Sequence, residues 1–250
     1  MTTPSPLSGK VILITGAGNG IGRATSIKLA SEGASLALSD IDLASVNETA
    51  AQCVEQRPAQ SHTINEVDVS NVASVNAWVM ATVSRYGRLD HIFNCAGINP
   101  IQIPTVDTTD EYSQRLISVN LGGTFNVCRA CIPHLLSGSS VVNVSSIVGV
   151  QPRAGMAIYA ATKAGIIGLS KSMAMELGPQ GIRVNVVAPG EIYTATNVSV
   201  IAGEETVQRA GQKVALGRLG RPDEIADVVI WMFQSSYMNG SVIEVNGGVE

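Results

Sequence analysis

Residues 10–33, KVILITGAGNGIGRATSIKLASEG, decide the fold. Lys10 to Thr15 is a short apolar run rich in β-branched residues, the composition of a buried parallel strand. GAGNGIG follows at 16–22. RATSIKLASEG then has the spacing of an amphipathic helix that stops at Gly33. Strand, glycine turn and helix, in that order, form the context in which glycines bind phosphate. Gly16 permits the sharp turn, Gly20 lets backbone approach a pyrophosphate, and Gly22 lets the helix sit close on the strand. The helix start offers unpaired N–H groups and positive dipole to an anion. The spacing is Thr-Gly-x-x-x-Gly-x-Gly. Ile21 stands where the commonest dinucleotide fingerprint has Gly.

A second strand at 35–39 ends at Asp40, twenty residues after Gly20. An acid there hydrogen-bonds the ribose hydroxyls of an adenosine. Its charge would also repel a 2′-phosphate by about 4 kcal/mol per unit charge at an effective dielectric near 20. Ile41 and Asn19 supply no cation to offset that, so NAD is expected over NADP.

Beyond Asp40, helix and strand patterns alternate. Helices are expected at 42–57, 71–86, 108–136 (broken near Gly122-Gly123), 155–177 and from Pro222. Strands are expected at 63–67, 89–93, 140–144, 182–187 and 241–245. This alternation predicts a doubly wound α/β domain, with a parallel sheet, right-handed crossovers and helices on both faces. Ligands of such sheets bind at the carboxyl ends of the strands, where Gly16, Asp40, Asp68 and Asn94 all fall. The whole of 1–250 reads as one domain, with a flexible tail at 1–8 and a mobile substrate flap at 191–216.

Composition narrows the function. The chain is 45% hydrophobic and 14% charged, with 25 Gly and a net charge of −4, which supports a sizeable core and argues against a nucleic-acid surface. No apolar run reaches the length of a membrane span, and the N-terminus lacks a secretory pattern. Cys53, Cys95, Cys128 and Cys131 suggest no disulfide framework, so a reducing, cytoplasmic setting is expected. Cys128-x-x-Cys131 lies in a helical pattern and reads as two small core residues. The three His show no metal-ligand spacing, and no metal is assigned.

SSIVGVQPRAGMAIYAATK at 145–163 carries the chemistry. Tyr159 and Lys163 are four apart and share a helix face. An ammonium beside a phenol favours phenolate, which makes Tyr159 a candidate acid/base. The plain alternative is a half-buried Tyr with Lys snorkelling past it. Ser146, thirteen residues upstream, is the hydroxyl placed to hold a reacting group, with Ser145 as the other choice. Asn120 is a polar amide inside an apolar helix and needs partners.

TGAGNGIG at 15–22, Asp68-Val69, NCAG at 94–97, Asn120, Ser146, YAATK at 159–163 and PGEIYT at 189–194 together resemble the classical short-chain dehydrogenase/reductase family, over about residues 8–248. The resemblance implies a Rossmann-type sheet of about seven parallel strands, a nicotinamide cofactor and a homo-oligomer, often a tetramer. It implies Tyr159 as the acid/base and Lys163 as the group that grips the nicotinamide ribose and depresses the Tyr159 pKa. Ser146 would hold the substrate oxygen, and Asn120 would anchor a water in a proton relay. Cofactor contacts would come from Gly16, Asn19, Gly20, Ile21, Asp40 and Ile41. Asp68 and Val69 would flank the adenine, and Asn94, Ala96 and Gly97 would line the cofactor. Pro189, Gly190, Ile192 and Thr194 would complete the nicotinamide end. Cys95 departs from the usual Asn-Asn-Ala-Gly and reads as a packing change.

The expected activity is hydride transfer between NAD(H) and a secondary alcohol or ketone. Substrate contacts are expected from Ser146, Val148, Gln151, Met156, Tyr159 and Tyr193, a mostly apolar set that favours a lipophilic substrate. Two other readings compete. One is a non-catalytic NAD-binding sensor or scaffold, against which the full set of Asn120, Ser146, Tyr159 and Lys163 argues. The other is nucleotide-sugar epimerisation or dehydration, for which the C-terminal region is small.

Overall fold

The computed structural model describes residues 5–194 and 211–249. In chain order, β1 (Val11–Thr15), α1 (Gly20–Ser31), β2 (Ser35–Asp40), α2 (Leu43–Gln52), β3 (His62–Glu66), α3 (Val72–Tyr86) and β4 (Leu89–Asn94) form the first half. Then come α4 (Asp110–Leu116), a π-helical segment (Ile117–Gly123), α5 (Thr124–Cys131), β5 (Leu135–Val144), the short α6 (Ile147–Val150), α7 (Ala157–Leu177), β6 (Arg183–Pro189), α8 (Pro222–Gln234) and β7 (Val242–Val245). The strands make one sheet in the order β3-β2-β1-β4-β5-β6-β7, with every pairing parallel. This is the doubly wound, Rossmann-type fold.

Period-2 alternation divides the core between the two faces. Ile12, Ile14, Leu36 and Leu38 pack with Leu29 of α1 and Ile225, Val229 and Met232 of α8. Leu13, Ala37 and Ile92 point the other way, toward Trp78 of α3, Val127 of α5 and Met173 of α7. Cys128 and Cys131 are buried on that second face, and all four cysteines are free thiols. Register then aligns the carboxyl ends: Thr15 pairs with both Ser39 and Asn94, Asn94 with Asn143, and Val144 with Val187.

Several boundaries differ from expectation. The 42–57 helix ends at Gln52, well short of Pro58. The long helix is not broken at Gly122-Gly123 but widens there into the π-helical segment. Pro133 lies in a 3₁₀ turn (Ile132–His134) that closes it, and β5 therefore begins at Leu135. The tail is shorter than 1–8, because residues 6–9 form a turn and Leu7 is buried in the core. Of the expected flap, 195–210 lies outside the described residues. Its two described flanks are tied down, by a bridge from Ile192 to Gly220 and another from Val214 to Val249.

One buried residue gives the fold a pH dependence. His91 of β4 stacks on Phe233 of α8 at 4.9 Å, and its Nδ1 has no hydrogen-bond partner. Burial lowers its pKa from 6.5 to about 4. Between those values the unfolded chain takes up a proton that the folded chain refuses, so stability falls as pH falls. This residue should contribute a loss of roughly 3 kcal/mol from pH 6.5 to 4. Urea unfolding of wild type and His91→Leu across that range should show a shallower acid limb in the variant, and parallel limbs would contradict the assignment. No helix among the described residues is long and apolar enough to cross a membrane.

Candidate active site

A cleft of about 1580 Å³ runs along the carboxyl edge of the sheet. The glycine loop forms one end. Gly16 has φ +66°, and a Cβ there would come within 2.8 Å of the Ala96 backbone. Thr15 Oγ1 accepts from the Cys95 and Ala96 amides, both at 3.1 Å, so the loops after β1 and β4 are locked together. A Cβ at Gly22 would lie 2.0 Å from the Gly16 carbonyl oxygen, which is how closely α1 sits on its strand. Asn19, the N-cap of α1, makes no side-chain cap bond, and no acid occupies the first turn. The N–H groups and dipole of α1 are thus left to an anion in the cleft.

Asp40 stands at the end of β2. Its carboxylate accepts from Gly18 N at 2.9 Å and from Asp42 N at 3.2 Å, which fixes it against the loop. The Arg23 guanidinium lies below the loop and is engaged by Gly18 O, Thr49 Oγ1, Ser45 O and Glu48. Ile41 beside Asp40 is 69% exposed and lines the cleft. Asp68 and Val69 line it also, with Asp68 Oδ1 accepting from the Ser70 amide and hydroxyl.

Ser146, Tyr159 and Lys163 meet at the other end. Ser145 and Ser146 have separate tasks. Ser145 is buried and donates to the Lys163 carbonyl at 2.8 Å. Ser146 caps α6 by accepting from Val148 N and remains open to the cleft. Tyr159 and Lys163 are both buried on α7. The Lys163 ammonium is engaged by backbone. Lys163 Nζ turns to the Val144 carbonyl at 3.0 Å and lies 5.8 Å from the Tyr159 ring centroid. Burial therefore dominates and pushes the Tyr159 pKa up to about 12, against the lowering effect of a Ser146 hydrogen bond and with a further rise from Glu191 and Tyr112. Burial likewise lowers the Lys163 pKa to about 8.

Four other expected site residues lie off the cleft wall. Asn94 is buried and donates to Asn143 Oδ1 at 2.8 Å, and Asn143 donates to Ser170 Oγ at 2.9 Å. That buried chain fastens α7 to the sheet. Asn120 is fully buried in the π-helical segment, where its amide accepts from Ile98 N and donates to Ile98 O. Its polar group is satisfied by the loop after β4. Gln151 is an exposed C-cap of α6. Tyr193 is exposed because Ile192, its neighbour on an extended stretch, points inward. Ala96, Gly97, Pro189, Gly190, Ile192 and Thr194 do line the cleft, as do Val148 and Met156.

Among the wall residues that the sequence reading missed, Arg153 and Glu191 form an ion pair. Arg153 Nη1 donates to Glu191 Oε1 at 2.7 Å inside the cleft. Glu191 lies in the PGEIYT motif, but nothing in the sequence links it to an arginine 38 positions away. Among the described residues, no cluster of His, Cys, Asp or Glu is placed to hold a metal.

A doubly wound sheet with a glycine loop at one end of the cleft and a Ser–Tyr–Lys cluster at the other defines a class of dinucleotide-dependent oxidoreductases. A family model described as enoyl-(acyl carrier protein) reductase matches residues 16–250, and the chain belongs to the short-chain dehydrogenase/reductase family. It is 38% identical to 3-oxoacyl-(acyl-carrier-protein) reductase of Thermotoga maritima over 97% of this chain and 98% of that one. It is 36% identical to levodione reductase of Leifsonia aquatica over 96% of this chain and 93% of that one. A crystal structure of levodione reductase superposes with a TM-score of 0.90, covering 96% of this chain and 97% of that one, at 36% identity. Relatives of known structure bind nicotinamide cofactors of both kinds. A 3-ketoacyl-(acyl-carrier-protein) reductase from Brucella melitensis is complexed with NADH (29% identity, TM-score 0.88, 97% and 98% covered). A short-chain dehydrogenase from Burkholderia cenocepacia is in complex with NADP (28% identity, TM-score 0.89, 97% and 98% covered).

Proposed function

We propose that the protein transfers a hydride between NAD(H) and an uncharged secondary alcohol or ketone, with Tyr159 as the acid/base. The observation that carries this reading is the cleft itself, with Asp40 and the α1 N-terminus at one end and Ser146, Tyr159 and Lys163 at the other. The residues fit a dinucleotide. The uncapped start of α1 suits a pyrophosphate, and the Asp40 carboxylate suits ribose hydroxyls. Lys163 suits the second ribose. When bound there, the nicotinamide supplies the hydride acceptor or donor.

The protein's own residues handle the proton. Ser146 positions the substrate oxygen, and Tyr159 gives a proton to that oxygen in reduction or takes it in oxidation. With its pKa near 12 the phenol is protonated at neutral pH, the form that reduction requires, but it is a weak acid until positive charge comes beside it. Positive charge delivered beside the phenol lowers that pKa and favours oxidation. Ile98, Ile147, Val148, Met156 and Val249 form an apolar wall on the substrate side, suited to a lipophilic ring or chain. Ketone substrates are also what the names of the levodione and oxoacyl reductases indicate for those relatives.

The test is absorbance at 340 nm with NADH and with NADPH against 4-methylcyclohexanone, 2-octanone, a decalone and an acetoacetyl thioester. NADH-dependent turnover of at least one ketone is the expected result. No turnover of any of them with either cofactor would remove the proposal.

A further inference from the structure

Arg153 and Glu191 reach the cleft from two well-anchored turns. The Arg153 carbonyl accepts from Met156 N at the entry to α7, and the Glu191 carbonyl accepts from Gly220 N at 2.9 Å. Their side chains meet at 2.7 Å and are 30% and 29% exposed. Burial is the main cause that raises the Tyr159 pKa, and the Glu191 charge adds a smaller rise. The same cleft is lined by apolar Ile98, Ile147, Val148, Met156 and Val249 and by polar Ser146, Lys163, Asn99 and Gln102.

We propose that Arg153 and Glu191 are a matched pair of positioning charges beside Tyr159 that makes the substrate end of the cleft selective for uncharged alcohols and ketones. The inference rests on the oxidoreductase reading above and names its substrate class more closely. An anionic substrate would have to displace Glu191 from Arg153 and leave a half-buried carboxylate facing a second negative charge. A cationic one would have to displace Arg153. An uncharged substrate leaves the pair intact and has no such cost. The Glu191 charge still adds to the rise in the Tyr159 pKa, and its pairing with Arg153 limits that effect; the phenol's other neighbours are Lys163, Ser146 and Tyr112. Glu111, Arg115 and Lys213 line the cleft as well.

A mere strap between two turns makes a different prediction, because removing either partner would then have the same consequence. If the charges matter, the two removals act in opposite directions. Glu191→Gln leaves Arg153 free, which favours phenolate and attracts a carboxylate. Arg153→Gln leaves Glu191 free, which favours the neutral phenol and repels one.

The experiment measures kcat/KM and its pH profile for wild type, Glu191→Gln, Arg153→Gln and the double variant, with thermal midpoints as a folding check. The probes are NADH with 4-methylcyclohexanone or 4-oxocyclohexane-1-carboxylate, and the fastest ketone of the panel for the pH profile. Wild type should prefer the uncharged ketone. Glu191→Gln should improve the keto acid relative to the ketone tenfold or more and move the tyrosine limb to lower pH. Arg153→Gln should do the reverse, and the double variant should lie between them. Shifts in one direction for both single variants, or a wild-type preference for the keto acid, would overturn the inference alone. A wild type that reduces no ketone at all would overturn the functional reading and the inference with it.

Discussion

Replacing Tyr159 by Phe is expected to lower kcat by roughly 100- to 10,000-fold, the usual worth of positioned acid–base assistance. Binding of NADH, followed by its fluorescence, should be nearly unchanged. The substitution is a clean one here. The ring still fills its buried site on α7, while the hydroxyl that would exchange a proton with substrate is gone. Its neighbours are less clean targets. Ser146 also caps α6, and Lys163 holds the Val144 carbonyl from a buried position, so their removal disturbs structure as well as chemistry. Turnover of Tyr159→Phe within tenfold of wild type would show that the phenol is not the proton donor.

The second large effect is expected at Asp40. Repulsion of about 4 kcal/mol per unit charge corresponds to a selectivity for NADH over NADPH on the order of 100- to 1,000-fold after allowance for partial exposure. Asp40→Ser should reduce that ratio to about tenfold or less. Part of the change should come from better use of NADPH, whose 2′-phosphate no longer meets the carboxylate, and part from weaker use of NADH, since the variant also loses the carboxylate that accepts from Gly18 N. NADPH should still not become the preferred cofactor, because Arg23 remains engaged by four acceptors beneath the loop and supplies no cation to the 2′-phosphate. Initial rates with both cofactors measure this directly. An unchanged ratio in the variant, or a wild type that prefers NADPH, would contradict the role given to Asp40.

The residues that were legible in the sequence follow local rules. Strand, glycine loop and helix are contiguous, so Gly16, Gly22 and Asp40 could be placed from spacing alone. Tyr159 and Lys163 share a helix face for the same reason. What was not legible depends on tertiary partners. Asn94 sits at a strand end, yet Asn143 and Ser170 draw its side chain into the core. Asn120 was recognised as a polar group in need of partners, but the partner, Ile98 backbone, comes from a loop 22 residues away. Tyr193 points outward because Ile192 pairs with Gly220, a contact set by the chain after residue 210. Lys163 shows the limit of a spacing argument most plainly. Four residues place it on the Tyr159 face, but the Val144 carbonyl at the end of β5 decides where its ammonium points. The phenol's pKa is consequently set by burial first.

The most direct test of the central claim follows the hydride itself. The protein is incubated with NADH deuterated at the nicotinamide C4 position and with each ketone of the panel, and the alcohol product is analysed by mass spectrometry. The account predicts an alcohol one mass unit heavier at the carbinol carbon, formed by wild type and nearly absent with Tyr159→Phe. An unlabelled alcohol, or no alcohol from any ketone, would contradict it.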